Sequence, residues 1–430
     1  MRTMKNSGIE WIGEIPAGWK VKKIKHSFSI IAGATPKSEV PEFWDGDIAW
    51  ITPADYKTAD VYVAGGKRNL SQAGYDSCGT TLIPSGSIVF SKRAPIGSVA
   101  INTNDLCTNQ GCLSCVPKCE CVTKYFYYMM SVFTEIFNLF GTGTTFKEIS
   151  ADNFANFSLP FPDIIEQHQI VSYLDQKCTE NDAVIAKTKA TIEEYKKLKQ
   201  SIITEAVTKG IRGDRSMKES GIEWIGEMPT EWSMTKLSGA TLSMRNGYVG
   251  PTRDLFFEDG VRYIQSLHIK NGKIDFDRHP YYVSDEWAEV HPKIKTNDIL
   301  IVQTGDIGQV GIVEDKYDGC NCHALIIATP NSDVVIPNYL KFYLMSFVGR
   351  ELMLSFRTGA LLPHLNAGKI KFTPVVVPSL HEQEEIAEYL AKKCAEIDAL
   401  IDKKMVLLEE LEEYKESVIY EYVTGKKEDV

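Results

Sequence analysis

Residues 166–208, "EQHQIVSYLDQKCTENDAVIAKTKATIEEYKKLKQSIITEAVT", align without a gap onto 382–424, "EQEEIAEYLAKKCAEIDALIDKKMVLLEELEEYKESVIYEYVT", with 20 of 43 positions identical. An internal repeat constrains a fold more than any local propensity, because each copy must build the same supersecondary unit. A second repeat precedes each copy: "SGIEWIGEIPAGW" at 7–19 returns as "SGIEWIGEMPTEW" at 220–232. Between these landmarks identity collapses but a skeleton persists. "GSIVFSKRAPIGSVAI" lies opposite "NDILIVQTGDIGQVGIV", with Gly97 matching Gly308. "GDIAWITPAD" parallels "GVRYIQSLH", and "GTGTTFKEISADNFANFSLPFP" lies opposite "FRTGALLPHLNAGKIKFTPVVVPS". The order of short motif, variable domain and long helix therefore occurs twice. The expected boundaries are 1–161 for the first variable domain, 162–210 for a central helical region, 211–378 for the second variable domain and 379–430 for a distal helical region.

The variable stretches predict an α+β fold. "SIVFS", "SVAIN", "DILIVQT" and "VGIVE" are short β-branched runs broken by Gly, Pro or Asn, as strands and turns are. "TKYFYYMMSVFTEIFNLF" and "PNYLKFYLMSFVGRELMLSF" carry apolar residues at helical spacing, and each predicts one helix packed on those strands. The repeated helices differ in character. Leu174, Cys178, Ile185, Ile192, Tyr195 and Ile202 follow a three-to-four spacing, as do Leu390, Cys394, Ile401, Leu408, Leu411 and Val418. Such a stripe predicts a coiled-coil seam, flawed by Asn181, Thr188 and Lys404. A helix of 43 residues is about 65 Å long and does not bury that stripe alone. The two helices are therefore expected to pair antiparallel between two pseudo-symmetric mixed α/β domains.

Charge has to be located before it is used. The chain carries a formal −10, but the distal stretch 379–430 alone holds 15 acidic and 7 basic residues. The globular parts are near neutral and are free to present basic faces. No apolar run approaches the length of a membrane span, and "MRTMKNSGIEW" lacks a signal-peptide core, so a cytoplasmic protein is expected. Five of ten cysteines crowd into "CTNQGCLSCVPKCEC". Cys112-x-x-Cys115 is a zinc-ligand spacing, but the matching stretch "NCHALIIATP" sets Ala324 and Ile327 opposite those two cysteines. Small buried strand residues are the expectation, and no metal site is assigned.

Catalytic motifs are missing where they are sought. There is no Walker-type phosphate loop, and "GDIGQVG" sits between strand-like runs as a turn does. The alternative to a binding protein is a Mg²⁺-dependent nuclease built on Asp163, Glu194 and Lys196, which match a common PD…ExK spacing. Against it, Glu194 and Lys196 fall deep in a predicted helix, and Ser379 replaces Asp163 in the second copy. His168, His268, His323 and His364 are scattered without ligand spacing.

The duplicated signatures "EWIGEIP…W", "GSIVFSKRAPIGSVAI", "NQGCLSCVP", "LPFPDIIEQHQIVSYLDQK" and "VVVPSLHEQEEIAEYLAKK" resemble the specificity subunit of type I restriction–modification systems, over essentially the whole chain. The resemblance implies that each variable domain is a target recognition domain reading one half of a split site in double-stranded DNA. The paired helices would set the gap and dock two modification subunits, which would carry S-adenosylmethionine and methylate adenine. Restriction subunits would carry the ATP- and Mg²⁺-dependent chemistry, and this chain would hold no cofactor. Lengthening the 166–208 helix by one turn is then expected to widen the spacer and leave both half-sites unchanged.

Base and phosphate contacts are expected from polar and basic residues in loops beside strands. In the first domain these are Lys92, Arg93, Asn109, Gln110, Thr144, Thr145 and Lys147. In the second they are Arg253, Gln265, His268, Gln303, Thr304, Arg357, His364 and Asn366.

Overall fold

Both repeated stretches fold as unbroken helices, Ile164–Lys209 and Leu380–Val423, with no Pro or Gly inside either. Each start is capped: Asp163 Oδ1 accepts from the Glu166 amide at 2.9 Å, and Ser379 Oγ from the Glu382 amide at 3.3 Å. Each is followed by a glycine at positive φ, Gly210 at +84° and Gly425 at +71°, where a side chain is strained. This computed structural model describes residues 2–56, 61–93, 95–143, 147–359 and 362–428. The chain divides into two compact units, Met1–Thr188 with Val406–Val430, and Lys189–Met405. Both divisions fall inside a long helix.

In the first unit, five strands order as Phe28–Ala32, Cys112–Pro117, Ile88–Ser91, Val99–Asn102 and Tyr62–Val63. All neighbours are antiparallel except the last pair. A second sheet sets Trp44–Ile51 between Cys107–Thr108, parallel, and Arg68–Leu70, antiparallel. In the second unit the same plan appears with one strand fewer in its main sheet: Thr241–Asn246, Leu325–Pro330, Ile299–Val302 and Val310–Ile312. Its second sheet sets Val261–Ile264 between Asn321–Cys322 and Tyr282–Val283. Ile88–Ser91 and Ile299–Val302 are buried at every residue, because apolar clusters cover both faces of each sheet.

Gly97 and Gly308 close the hairpins that follow those central strands, at φ +102° and +81°. A Cβ on Gly97 would come within 2.7 Å of Thr134 Cγ2, whereas one on Gly308 would meet Leu354 Cδ2 at 3.3 Å. Gly97→Ala is therefore expected to cost about 1–3 kcal/mol from the backbone conformation, plus the clash. Thermal unfolding should show a smaller loss for Gly308→Ala; the reverse order would count against this account.

Each stretch predicted as one helix on the sheet is instead two. They are Thr123–Val132 with Thr134–Leu139, and Pro337–Met345 with Phe347–Leu354. In the second unit the break has a local cause. Ser346 leaves helical geometry and its hydroxyl accepts from the Gly349 amide at 3.0 Å, starting a new helix. Gly349 permits the corner, since a Cβ there would stand 2.0 Å from the Tyr343 carbonyl oxygen.

Within each unit the two long helices run antiparallel. In the first, Asn181 Nδ2 donates to the Leu411 carbonyl at 2.9 Å, and Lys415 Nζ meets Asp182 at 2.6 Å. Leu174 and Cys178 share a core with Val418, Ile419, Tyr422 and Val423. In the second, Lys199 Nζ meets Asp398 at 2.7 Å, and Ile203, Ala206 and Val207 share a core with Ile386, Ala387, Leu390 and Cys394. Of the expected seam, Ile185 and Ile192 are also buried, while Tyr195, Ile202, Ile401, Leu408 and Leu411 are half-buried. Ile203, not Ile202, carries the deep contact, and Ile397 is buried too. From Ile192 to Ile203 is eleven residues, a three-turn step, so the stripe drifts off the heptad spacing. Asn181 and Thr188, flaws in the sequence pattern, are buried.

Candidate nucleic-acid interface

Each copy of the short repeated motif packs at the start of the long helix in its own unit. The opening motif forms a hairpin, Met4–Asn6 with Glu14–Pro16 and again Met217–Glu219 with Glu227–Pro229. It delivers a buried indole: Trp19 Nε1 donates to Glu166 at 2.7 Å, and Trp232 Nε1 to Glu382 at 2.8 Å. Arg2 pairs with Glu166, and Arg215 with Glu382 at 2.6 Å. The next residue, Gln167 or Gln383, is buried and ties the recognition domain to the helix. Gln167 takes the Val122 amide at 2.9 Å and gives to the Pro162 carbonyl at 3.0 Å. Gln383 takes the Ile336 amide at 2.8 Å and gives to the Val334 and Pro378 carbonyls at 3.0 Å each.

On these supports each unit builds one polar edge from the same four backbone pieces. The residue after the central strand donates its amide to the start of the neighbouring strand: Lys92 to Gly111 at 2.9 Å, Gln303 to Ala324 at 3.3 Å. Its carbonyl accepts from the residue after a small hairpin: Ile149 to Lys92 at 2.9 Å, Leu365 to Gln303 at 3.0 Å. Those hairpins are Thr142 with Glu148, and Thr358 with His364. Finally Asn109 donates its amide to Ile51 at 2.9 Å, and His323 to Ile264 at 2.8 Å. Lys92 thus stands for Gln303, Asn109 for His323 and Glu148 for His364. The backbone is common and the side chains are not.

In the first unit Lys92 Nζ meets Glu148 at 2.6 Å, and Arg93 gives a hydrogen bond to the Gln110 carbonyl at 3.0 Å with its Nε 3.6 Å from Glu148. Asn109 Oδ1 accepts from the Gly111 amide at 2.9 Å, and Thr35 bonds the exposed Gln110. Lys147 is exposed beside them, while Thr144 and Thr145 lie outside the described residues. Lys92 and Arg93 are therefore both paired with Glu148, and Gln110 and Lys147 are the exposed polar groups of this edge.

In the second unit the Gln303 carbonyl accepts from the Leu365 amide at 3.0 Å, which sets the strand end at 303–304 beside the segment that carries His364 and Asn366. Thr304 and Arg357 are exposed, as is Arg253, which stands in the loop after Gly250. His364 spends both ring nitrogens inside its hairpin, with Thr358 Oγ1 at 3.0 Å and the Leu362 carbonyl at 3.5 Å. Asn366 caps the helix Ala367–Ile370, accepting from the Gly368 amide at 2.8 Å. Gln265 and His268 form a reciprocal cap on a short 3-10 turn. His268 is fully buried, its Nε2 2.8 Å from the His279 carbonyl, and burial pushes its pKa below 6.5. The sequence nominated these as polar residues in loops beside strands; in the structure His268 and Asn366 hydrogen-bond to backbone groups and His364 Nε2 to Thr358 Oγ1. Sequence reasoning missed His323, Tyr248, Thr35 and Glu148, which stand on the edge. Aligning Asn109 with His323 across the one-residue gap that follows would have found the first of them.

That gap also corrects the cysteine comparison. The strand registers place Leu325 and Ala328, not Ala324 and Ile327, where Cys112 and Cys115 stand. Cys112 packs in one apolar cluster and Cys115 in another, on opposite faces of one strand, so the pair does not converge on a single ion. Burial pushes the Cys112 thiol up to about 12. The nuclease set fares no better. Asp163 caps a helix, and Glu194 and Lys196 are exposed far along it, with Lys196 paired to Glu193 at 2.7 Å.

The model of the type I restriction modification DNA specificity domain matches residues 16–194 and 252–410. The specificity subunit of the type I restriction enzyme MjaIX of Methanocaldococcus jannaschii is 27% identical over 377 residues, 85% of this chain and 84% of that protein. The EcoBI specificity subunit of Escherichia coli is 25% identical over 286 residues, 64% of this chain and 60% of that one. Among solved structures, a chain from a study of complex assembly and conformational transition of the type I R-M system superposes with a TM-score of 0.73 at 15% identity. That superposition covers 96% of this chain and 99% of that one. No helix among the described residues is long and apolar enough to cross a membrane. A duplicated scaffold, two edges of common backbone and unlike side chains, and a family match over most of its length place this chain in the type I restriction modification DNA specificity domain family.

Proposed function

We propose that this chain reads a bipartite, asymmetric site in double-stranded DNA and directs adenine methylation and restriction by partner subunits. The observation that carries this is the pair of edges: one set of backbone hydrogen bonds, built twice, displaying Lys92, Arg93 and Asn109 in one unit and Gln303, Thr304 and His323 in the other. Unlike side chains on a common frame read unlike half-sites. The chain itself is non-catalytic. S-adenosylmethionine, ATP and Mg²⁺ act in two modification subunits and in restriction subunits, within a prokaryotic cytoplasm. The long helices offer those partners apolar residues left exposed: Val184, Leu198, Leu400, Met405 and Val406.

Methylation sequencing of DNA from cells expressing this chain with its modification subunit tests the reading. Methylated adenine is expected in two different half-sites separated by a constant gap. A single contiguous motif, or cleavage of DNA by the purified chain with Mg²⁺ alone, would overturn it. One added turn in each long helix, about 5.4 Å, should widen the gap by about one to two base pairs and leave both half-sites unchanged.

A further inference from the structure

Three observations on the second unit's edge point to one pair of side chains. Gln303 Oε1 is buried with no hydrogen-bond partner. A buried acceptor left unpaired is costly, and it persists where a ligand completes it. Ala324, whose carbonyl accepts from the Gln303 amide, sits at φ +48°, a left-handed conformation uncommon for a residue with a side chain. Such strain is retained where the turn it makes is used. It aims the residue before it, His323, whose Nδ1 lies 3.2 Å from the Tyr263 hydroxyl. The Tyr263 ring is fully buried and packs at 5.4 Å against Trp287, so it is a fixed post. With Nδ1 beside that hydroxyl, Nε2 is the ring nitrogen of this half-buried side chain left without a hydrogen-bond partner among the described residues.

We infer that Gln303 and His323 are the base-reading pair of the second unit, Gln303 engaging an adenine and His323 Nε2 donating to a neighbouring base acceptor. This rests on the DNA-reading function proposed above. A side-chain amide matches the N6 donor and N7 acceptor of adenine in the major groove. Gln303 Oε1 is shielded in the free protein, so on binding the side chain swings toward the groove and its unpaired Oε1 accepts from the adenine N6–H. His323 at neutral pH is an uncharged ring, because burial lowers its pKa, so it presents one N–H. The acceptors in reach of such a donor are guanine O6 or N7 and thymine O4. His364, the other histidine on this edge, does not compete, since both its nitrogens are engaged. In the first unit the equivalent of His323 is Asn109, whose Oδ1 already accepts from Gly111, leaving its amide nitrogen to donate.

The test is a set of methylomes from cells carrying the full chain with its modification subunit. Gln303→Ala and His323→Ala should each relax one position in the same half-site, with discrimination there falling about ten- to hundredfold. Asn109→Ala should relax a position in the other half-site. Gln303→Glu keeps the side-chain shape and is expected to shift its position from adenine toward cytosine, whose N4 donates to a carboxylate. It decides the matter if Gln303→Ala gives no methylation at all. Motifs unchanged by Gln303→Glu and His323→Ala, or changes falling in different half-sites, would overturn the assignment. A wild-type chain that yields no bipartite motif would instead refute the DNA-reading function itself.

Discussion

Glu382→Ala is expected to cost the second unit about 3–5 kcal/mol, the loss typical of a buried ion pair that forfeits one partner. The Glu382 carboxylate is buried to 5% exposure and holds two donors, the guanidinium of Arg215, which precedes the repeated motif, at 2.6 Å and the motif's Trp232 indole at 2.8 Å. The Arg215 side chain is only 12% exposed, so removing the carboxylate strands a charge where water does not reach it freely. Arg215 also pairs with Glu231, which is more exposed and compensates little. The twin in the first unit is more open: the Arg2 and Glu166 side chains are 25% and 23% exposed. Glu166→Ala should therefore cost less, about 1–2 kcal/mol, chiefly for the orphaned Trp19 indole. Urea unfolding of the two variants measures both losses. Adding Arg215→Met to Glu382→Ala should recover part of the stability, because no charge is left behind. If the double variant is no better than the single one, the stranded guanidinium is not the cause.

Gln383→Leu is the second large effect, about 3 kcal/mol or more, since each buried backbone group left unpaired costs about 1–3 kcal/mol. Leucine has nearly the volume of glutamine, so packing is kept while three hydrogen bonds disappear. The Ile336 amide and the Val334 and Pro378 carbonyls are left behind. Gln167→Leu orphans two groups, the Val122 amide and the Pro162 carbonyl, and should cost about 2 kcal/mol. Hydrogen exchange at the Ile336 and Val122 amides reads the local consequence, with protection lost in the matching variant alone. An unchanged rate at Ile336 in Gln383→Leu would show that the side chain does not hold that segment.

These two residues show what was legible and what was not. The repeated Glu-Gln pair at 166–167 and 382–383 stood out in the sequence as part of a scaffold signature. Its task, gripping the other repeated motif and the recognition domain together, depends on partners 147 and 150 residues away for the glutamates and 45 to 49 away for the glutamines. Periodicity located both long helices but assigned the deep contact to Ile202 rather than Ile203, because a heptad spacing does not follow a helix that steps by eleven. Of the opening tryptophans, Trp19 and Trp232 are anchors; Trp11 stacks on Phe157, whereas its counterpart Trp224 is 44% exposed. Identical text does not guarantee identical packing when the variable domain beneath it has changed. On the two edges, residue type alone cannot separate His364, whose Nε2 meets Thr358 of its own hairpin, from His323, whose Nδ1 meets Tyr263. That distinction lies in which nitrogen the fold has already engaged.

The partition of the two long helices sets an order of synthesis. The second unit is one continuous stretch, Lys189–Met405, whereas the first needs Val406–Val430 to be finished. Val418, Ile419, Tyr422 and Val423 belong to the core that contains Trp19 and Phe126, and the Tyr125 hydroxyl donates to the Val423 carbonyl at 2.9 Å. A ribosome making this chain at about 5–20 residues per second therefore releases the amino-terminal domain long before its last wall exists. The usual order, in which the first domain synthesised is the first completed, is inverted here. The apolar face that awaits residues 418–423 is open throughout that interval, and it is where a chaperone would have reason to wait.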